Sequence, residues 1–471
     1  MSDELDGEPA ASTRPRIFPM SHEQEAMWLD DLVWGASSQI LEAWACRFTG
    51  HLNTGALEWA ISQIIARHEV LRTRLTERDE EPVQIVTGPD PVRMERLSCP
   101  PAALHAELSR IVGEPLDLDE VPVRPWLVRV SPDEFVLVVQ FHHAVVDDWS
   151  LNIFQQELMH FYTARLRGQA PTLEPPRMQA GDFAVTQRAA GLDPADLAYW
   201  RERVRDAPRS CTVPRTRPGS EVLTHSGGPP SATLPRWSDY ARRRAASAGR
   251  HLFDLSPELG QSVRVAGRAL RTTPFAVFAA AMATLLWQYG ESDEVIFAMP
   301  VSLRGTADTD GMIGVLTNLQ PIRLTVSRNM SFRTLTNAAK AEILGGMEHR
   351  RVPYPEMVRM SQLRTAVDAP PPCDVAIVVD DMGWEPFSLP NVTAEIIHLP
   401  ARHAKFAVHL SLVAKDEGGY AGVWIYDADV FDAVTMTRVA GRFTKLLAHC
   451  IAAPDEPLGR IPGSAAWPCH A

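Results

Sequence analysis

The sequence has few cysteines, a deficit of positive charge and no long apolar segment. The six cysteines are scattered without a CxxC pair, so we expect reduced thiols, a cytoplasmic location and no cysteine-built metal site. No stretch approaches the roughly 18 apolar residues that a membrane-spanning helix needs. The opening segment MSDELDGEPAASTRPR has no apolar core, which predicts a frayed tail over residues 1–16 and no signal peptide.

Acidic residues outnumber basic ones, with 58 Asp and Glu against 46 Lys and Arg, and the net charge is −12. Such a chain lacks the general positive field that attracts phosphates, so nucleic-acid binding is not expected. The hydrophobic fraction of 45%, with 12 Trp and 16 Phe, excludes disorder throughout the chain. The 471 residues are enough for two or three domain-sized units.

Helix and strand patterns alternate through the first part of the chain. Residues 54–68 carry an apolar stripe at helical spacing, and residues 126–130 and 135–141 read as adjacent strands. Residues 70–75 and 83–86 predict a further strand pair, and a helix is expected to open at Ser150. This interleaving is typical of the α/β class.

A segment rich in Pro and Gly, residues 205–250, predicts a long crossover between two units. A second α/β unit follows, with helices predicted to start near Ser256 and Thr273 and strands predicted between residues 295 and 426. The sequence therefore predicts two lobes of similar size. They are residues 17–190 and 251–471, joined by an interlobe linker over 191–250.

The segment 141–150, FHHAVVDDWS, carries most of the chemical information, because it lies where a buried strand ends and a helix begins. Adjacent strand residues point to opposite faces, so only one of His142 and His143 can face a given cavity. An imidazole there can remove a proton from an amine or hydroxyl, and Asp147 can pair with an arginine. The alternative is two ordinary histidines, one buried and one exposed. No spacing indicates a third metal ligand.

The pattern His142-His143-x-x-x-Asp147 resembles the His-His-x-x-x-Asp-Gly motif of nonribosomal peptide synthetase condensation domains. Further elements similar to that family follow in order from about residue 17 to 463, an ordered set far more specific than one motif. They lie at 21–29, 67–75, 182–200, 300–318, 352–356, 404–406 and 426–432.

The resemblance implies two chloramphenicol-acetyltransferase-like lobes in a V-shaped pseudo-dimer, with the active site in the tunnel between them. It implies that His143 is the catalytic histidine, which deprotonates or orients the nucleophile for attack on a thioester, and that His142 mainly supports the local fold. It also implies that Asp147 is structural and salt-bridged to an arginine, for which Arg304 and Arg72 occupy matching positions. The remaining supporting residues of the motif are Asp148, Trp149 and Ser150.

One position departs from the family motif, because Asp148 stands where the family has glycine. Glycine leaves space and backbone freedom there. A carboxylate in its place is expected to clash, to form a new hydrogen bond or to position a polar acceptor, or else to point away from the site.

The resemblance also implies the partners. No carrier attachment motif is visible, so we expect a free-standing, monomeric enzyme that binds no cofactor and meets a phosphopantetheinyl carrier protein in trans. Carrier proteins are generally acidic, and candidate docking residues are Arg201, Arg203, Arg205, Arg242, Arg243 and Arg244. The alternative for the run Arg242–Arg244 is a solvated face. The expected reaction transfers an acyl or aminoacyl group to an amine or hydroxyl. Alternatives are an acyl-CoA-dependent acyltransferase and a catalytically silent docking module.

Overall fold

The computed structural model of the chain describes residues 15–34, 41–120, 122–207, 213, 248–290, 292–361, 373–381, 386–397, 399 and 404–461. The expected tail up to residue 14 and the arginine run Arg242–Arg244 lie outside the described residues. Within the described residues, no single helix is long and apolar enough to cross a membrane, although one bent pair of helices passes that test by length and composition together.

The first half of the chain alternates helices and strands, as the sequence pattern predicts. Its helices are α1 (His22–Trp34), α2 (Thr54–Arg67), α3 (Leu104–Ile111), α4 (Asp148–Leu166), α5 (Ala180–Ala190) and α6 (Pro194–Val204). Its strands are β1 (Arg16–Pro19), β2 (Leu41–Gly50), β3 (Thr73–Arg78), β4 (Glu81–Val86), β5 (Glu95–Ser98), β6 (Val123–Ser131) and β7 (Glu134–His142).

The second half repeats the alternation. Its helices are α7 (Pro257–Ala269), α8 (Pro274–Tyr289), α9 (Ala307–Asp310), α10 (Phe332–Glu348), α11 (Tyr354–Met360) and α12 (Ala433–Ala452). Its strands are β8 (Ala248–Leu255), β9 (Glu294–Ser302), β10 (Thr317–Thr325), β11 (Val375–Asp380), β12 (Val392–Ile396), β13 (Val408–Ala414) and β14 (Tyr420–Asp427). The side chains of Ser256 and Thr273 cap α7 and α8, where the sequence predicts their starts.

Three sheets organise the described residues. A small sheet has the strand order β1-β4-β3, a five-stranded sheet has the order β12-β2-β7-β6-β5, and a six-stranded sheet has the order β10-β9-β11-β13-β14-β8. Strand β12 belongs to the second half of the sequence but pairs with β2 of the first half. The chain therefore crosses back from the six-stranded sheet to complete the five-stranded one.

Strand β7 is buried on both faces, which explains its continuous apolar sequence. Leu137 and Val139 pack with residues of α2 and α4. Val136 and Val138 pack on the opposite face with residues of α3. The alternation of side chains along a strand produces this division, and it also sets the direction of His142, the last residue of β7.

Helix α8 forms the centre of the second half and is apolar all around. Its residues from Ala276 to Trp287 are buried, and they pack with strands of the six-stranded sheet and with α12. A helix without a polar face is typical of a protein core.

The strand predicted at 70–75 is wrong over its first residues. Glu69–Arg72 forms a 3-10 helix, and the strand begins only at Thr73. Val70 and Leu71 are both buried although adjacent, which an alternating strand would not require. The Thr73 hydroxyl donates a hydrogen bond to the Glu69 carbonyl at 2.6 Å and closes this turn.

Candidate active site

The two histidines of the 141–150 segment lie at the junction of β7 and α4. His142 ends β7, a 3-10 turn follows over His143–Val145, and Asp147 caps the N-terminus of α4. The sequence predicts this junction closely, although the helix begins at Asp148 instead of Ser150. The change from strand to turn points the two imidazoles into different surroundings.

His142 is a buried structural residue. The Ala144 backbone N–H donates a hydrogen bond to its Nδ1 at 3.1 Å, so the ring hydrogen lies on Nε2. Nε2 in turn donates to the Asp31 carboxylate of α1 at 2.8 Å. Both ring nitrogens are used, and the ring ties the motif to α1, which agrees with the supporting role that the family resemblance implies.

His143 keeps one ring nitrogen available for chemistry. Its Nδ1 lies 2.7 Å from the Val146 carbonyl oxygen, which can only accept, so Nδ1 carries the hydrogen and Nε2 an unshared electron pair. The side chain is 18% exposed. Burial and the positive charge of Lys405 lower the pKa of His143 to about 4, so the imidazole is neutral near pH 7 and Nε2 is a proton acceptor.

Asp147 is the centre of a buried network. Its Oδ1 accepts hydrogen bonds from the Ser150 N–H at 2.9 Å and the Ser150 hydroxyl at 2.7 Å, and Oδ2 accepts from the Leu316 N–H at 3.0 Å. The Arg304 guanidinium lies 2.9 Å from Oδ1 and 3.2 Å from Oδ2. The Asp147–Arg304 pair expected from the resemblance is therefore present.

Arg304 also holds the loop between β9 and β10. Its Nη1 donates to the carbonyls of Thr309 at 2.6 Å and Met312 at 2.7 Å. Trp149 adds a second link, because its indole N–H donates to the Asp310 carbonyl at 2.9 Å. The 303–316 loop and the start of α4 are thereby fixed together beneath His143.

Arg72 does not take part in this network, and its expected pairing with Asp147 is wrong. Its guanidinium contacts the Glu69 carboxylate at 3.7 Å and the Thr87 carbonyl. These contacts belong to the turn before β3. Within the described residues the Asp147 carboxylate has Arg304 as its cationic partner.

The structure adds three polar residues that lie outside the 141–150 segment, and of these only Lys405 belongs to one of the family-like elements, at 404–406. Glu42 of β2 has Oε1 3.8 Å from His143 Nε2, and Lys405 places its Nζ 2.5 Å from the same oxygen. His409 of β13 has a buried Nε2 without a hydrogen-bond partner, and burial, followed by the charge of Lys405, lowers its pKa to about 4. Glu42 faces His143 because β2 pairs with β7, with Glu42 opposite Phe141.

Asp148 lies beside this cluster at the first position of α4. Asp148 is an exposed residue whose carboxylate is partly desolvated by neighbouring protein atoms, and this desolvation together with the charge of Glu42 raises its pKa to about 6. The substitution of glycine by aspartate thus adds a titratable group to the neighbourhood of His143.

The raised pKa of Asp148 predicts a pH-dependent stability effect. An acid whose pKa is higher in the folded state favours folding below its unfolded pKa and loses that contribution as the pH rises through about 6. Asp148→Asn should therefore raise the free energy of unfolding relative to the wild type by more at pH 7.5 than at pH 4.5. The difference between the two pH values should be less than about 1 kcal/mol, because solvent screens the charge. Urea unfolding of both proteins at the two pH values measures it. The exposed Asp119→Asn is the control, and an equal effect of both substitutions would contradict the prediction.

The described arginines of the candidate docking set differ in their surroundings. Arg203 is engaged, because its Nε lies 3.3 Å from Glu342 and its guanidinium carbon 3.7 Å from the centre of the Tyr199 ring. Arg201 and Arg205 are exposed. Any contact of this region with an acidic partner would therefore fall mainly on the two exposed arginines.

Comparison with known proteins bears on the family and the fold of the chain. The pattern of the family described as Condensation domain matches residues 15–462. A probable non-canonical nonribosomal peptide synthetase, CymA, of Salinispora arenicola is 29% identical over 94% of this chain. The isonitrile lipopeptide synthase of Mycobacterium tuberculosis is 28% identical over 96% of this chain. The chain spans only 6% of the length of the first of these relatives and 18% of the second.

Solved structures show the same fold. The X-domain from teicoplanin biosynthesis has a TM-score of 0.82 at 23% identity, covering 96% of this chain and 99% of that one. The same X-domain in complex with OxyB gives 0.81 at 23% identity, covering 98% and 99%. The first condensation domain of the calcium-dependent antibiotic synthetase gives 0.76 at 18%, covering 95% and 99%. With a family match across nearly its whole length and this mixed α/β fold, the chain belongs to the condensation-domain family.

Proposed function

We propose that this chain is a catalytic condensation enzyme. It transfers an acyl or aminoacyl group from the phosphopantetheine of a carrier protein to an amine or hydroxyl acceptor. The observation that supports this most directly is the state of His143, whose Nδ1–H is fixed on the Val146 carbonyl while Nε2 carries an unshared electron pair. A neutral imidazole with an available Nε2 is what proton removal from a nucleophile requires.

In the proposed reaction the acceptor attacks the thioester carbonyl carbon. A carbon–nitrogen or carbon–oxygen bond forms, the carbon–sulfur bond breaks, and the acceptor's proton passes to His143 Nε2 and then to the leaving thiolate. The thioester is already activated, so the enzyme contributes mainly position and proton transfer. The network of Asp147 and Arg304 keeps the turn that carries His143 in place.

We further propose that the enzyme works as a free-standing unit that receives its donor from a carrier protein in trans. The net charge of −12 requires a local basic surface for an acidic carrier. We place the contact at the exposed Arg201 and Arg205 at the end of α6, where Glu202 and Asp206 are exposed as well.

A donor and acceptor panel tests the proposal. An acyl-phosphopantetheinyl carrier protein, and in parallel the matching acyl-CoA, is incubated with amines and alcohols, and intact-protein mass spectrometry follows loss of the acyl group from the carrier. We expect acceptor-dependent transfer from the carrier. Transfer from acyl-CoA alone would replace the donor assignment, and transfer from neither would contradict the catalytic proposal.

A second candidate is a non-catalytic docking module. It is favoured by the likeness to the X-domain, one structure of which is a complex with OxyB, and by the extra carboxylate of Asp148 beside His143. The two candidates differ in one result. A docking module binds its partner but removes no acyl group from the carrier. The enzyme removes the acyl group when an acceptor is present.

A further inference from the structure

Two charged residues from distant parts of the chain meet at the open nitrogen of His143. Glu42 comes from β2, and Lys405 comes from the segment before β13. Glu42 Oε1 lies 3.8 Å from His143 Nε2 and 2.5 Å from Lys405 Nζ. The side chain of Glu42 is 23% exposed and that of Lys405 is 34% exposed, so both remain open to a small molecule.

The distance between Glu42 and His143 leaves room for one atom that contacts both. An atom about 2.9 Å from each would make two ordinary hydrogen bonds. His143 Nε2 carries an electron pair and Glu42 is a carboxylate, so both groups accept hydrogens. A nucleophilic atom that bridges them must therefore carry at least two hydrogens.

An amine nitrogen meets this requirement and a hydroxyl oxygen does not. A primary amine can direct one N–H to His143 and the other to Glu42. An alcohol has a single O–H, so its oxygen would turn an electron pair toward the carboxylate. Glu42 remains ionised, because the positive charge of Lys405 holds its pKa below the ordinary value although burial alone would raise it.

We propose that Glu42 is an acceptor-binding residue that selects amines over hydroxyl compounds, and that Lys405 is the positioning residue that holds it. This inference rests on the proposed acyl transfer and specifies its acceptor. As the carbon–nitrogen bond forms, one nitrogen hydrogen passes to His143 and on to the leaving thiolate. The second hydrogen stays on nitrogen, hydrogen-bonded to Glu42, and becomes the amide N–H.

The test compares an amine with its hydroxyl isostere, 2-phenylethylamine and 2-phenylethanol, as acceptors for one acyl-carrier donor. Glu42→Gln keeps the shape of the side chain and removes its charge. Because hydrogen bonds to charged groups are stronger than neutral ones, kcat/KM for the amine should fall roughly 10- to 100-fold. For the alcohol, kcat/KM should stay within about twofold of the wild-type value, because the alcohol donates no hydrogen bond to Glu42. Where no alcohol is consumed, hydrolysis of the donor by water is compared instead.

Two further variants separate a binding role from a structural one. Lys405→Met should lower the amine-to-hydroxyl ratio in the same direction as Glu42→Gln, and Lys405→Arg should restore it because the ion pair is kept. Glu134→Gln is the matched control, since Glu134 lies on the same β2–β7 ladder, opposite Thr49, and pairs with Arg47.

The outcomes are distinguishable from those of the proposed function. Equal losses for amine and alcohol in Glu42→Gln, or a wild type that prefers the alcohol, would overturn the role of Glu42 while acyl transfer stands. A wild type that transfers to no acceptor would remove both proposals. A loss confined to the amine, with Glu134→Gln unchanged, is the expected result.

Discussion

We expect His143→Ala to lower the rate of acyl transfer by about 100- to 10,000-fold, which is the usual contribution of a general base. The variant removes the imidazole whose unshared electron pair is on Nε2, 3.8 Å from Glu42 Oε1. Residual transfer should remain, because binding still brings the activated thioester and the acceptor together. The measurement is the single-turnover rate of acyl loss from the carrier at a saturating acceptor concentration.

Two controls test whether the loss of rate is specific to His143 and independent of carrier binding. His105→Ala changes an exposed histidine of α3, on the opposite face of the five-stranded sheet from α4, and should transfer at the wild-type rate. Carrier binding should be equal in the wild type and His143→Ala, because the substitution lies in the site and not on the exposed arginines. Equal transfer rates in His143→Ala and the wild type would contradict the catalytic role and favour the docking module.

The dependence on pH of the ratio between the wild-type rate and the His143→Ala rate provides an independent check, because protonation of an amine acceptor affects both rates equally. With the pKa of His143 at about 4, its protonation does not begin until well below pH 6. The contribution of His143 to the rate should thus remain constant between pH 8 and 6. A histidine with an ordinary pKa would become largely protonated over that range and could no longer accept a proton.

The local parts of the site could be predicted from sequence. An apolar run followed by His142 and then by Asp147 defines the end of a buried strand and the start of a capped helix, and the structure has both. The capping side chain and the alternation of strand residues act over a few neighbours, so their effect is visible in the sequence. The different surroundings of His142 and His143 have another cause than the strand alternation expected from sequence, because His143 lies in the 3-10 turn that follows β7.

The long-range parts could not be predicted from local patterns. Glu42 and Lys405 are 363 residues apart, and nothing in their own segments indicates that they meet. The pairing of β12 with β2 is equally remote in sequence. The ion pair of Asp147 with Arg304 could be predicted only from the family resemblance. The same resemblance also predicted Arg72 as a partner of Asp147, which is wrong. Such contacts depend on how the two halves pack, which the spacing of residues does not encode.

Separating Asp147 from Arg304 is expected to have the largest effect on stability. Asp147→Asn should lower the free energy of unfolding by about 3–5 kcal/mol, because it leaves a buried guanidinium without its counter-charge. The side chains of Arg304 and Asp147 are 4% and 3% exposed, so water cannot replace the lost partner. Equilibrium unfolding in urea measures the loss.

A double-mutant cycle identifies the ion pair as the cause. Arg304→Met alone leaves the Asp147 carboxylate without its cation, whereas the double variant leaves neither charge buried. The double variant should therefore lose less stability than the sum of the two single variants. The control is the exposed pair of Arg333 and Asp455, in which Nε and Nη2 lie 2.6 and 2.9 Å from the two carboxylate oxygens. In the buried pair a single nitrogen, Arg304 Nη2, contacts both oxygens of Asp147. The cycle of the exposed pair should give little coupling, because solvent replaces the contact. Similar coupling free energies in both cycles would show that burial does not strengthen the Asp147–Arg304 pair. That result would contradict the prediction and the role of this network in holding the turn that carries His143.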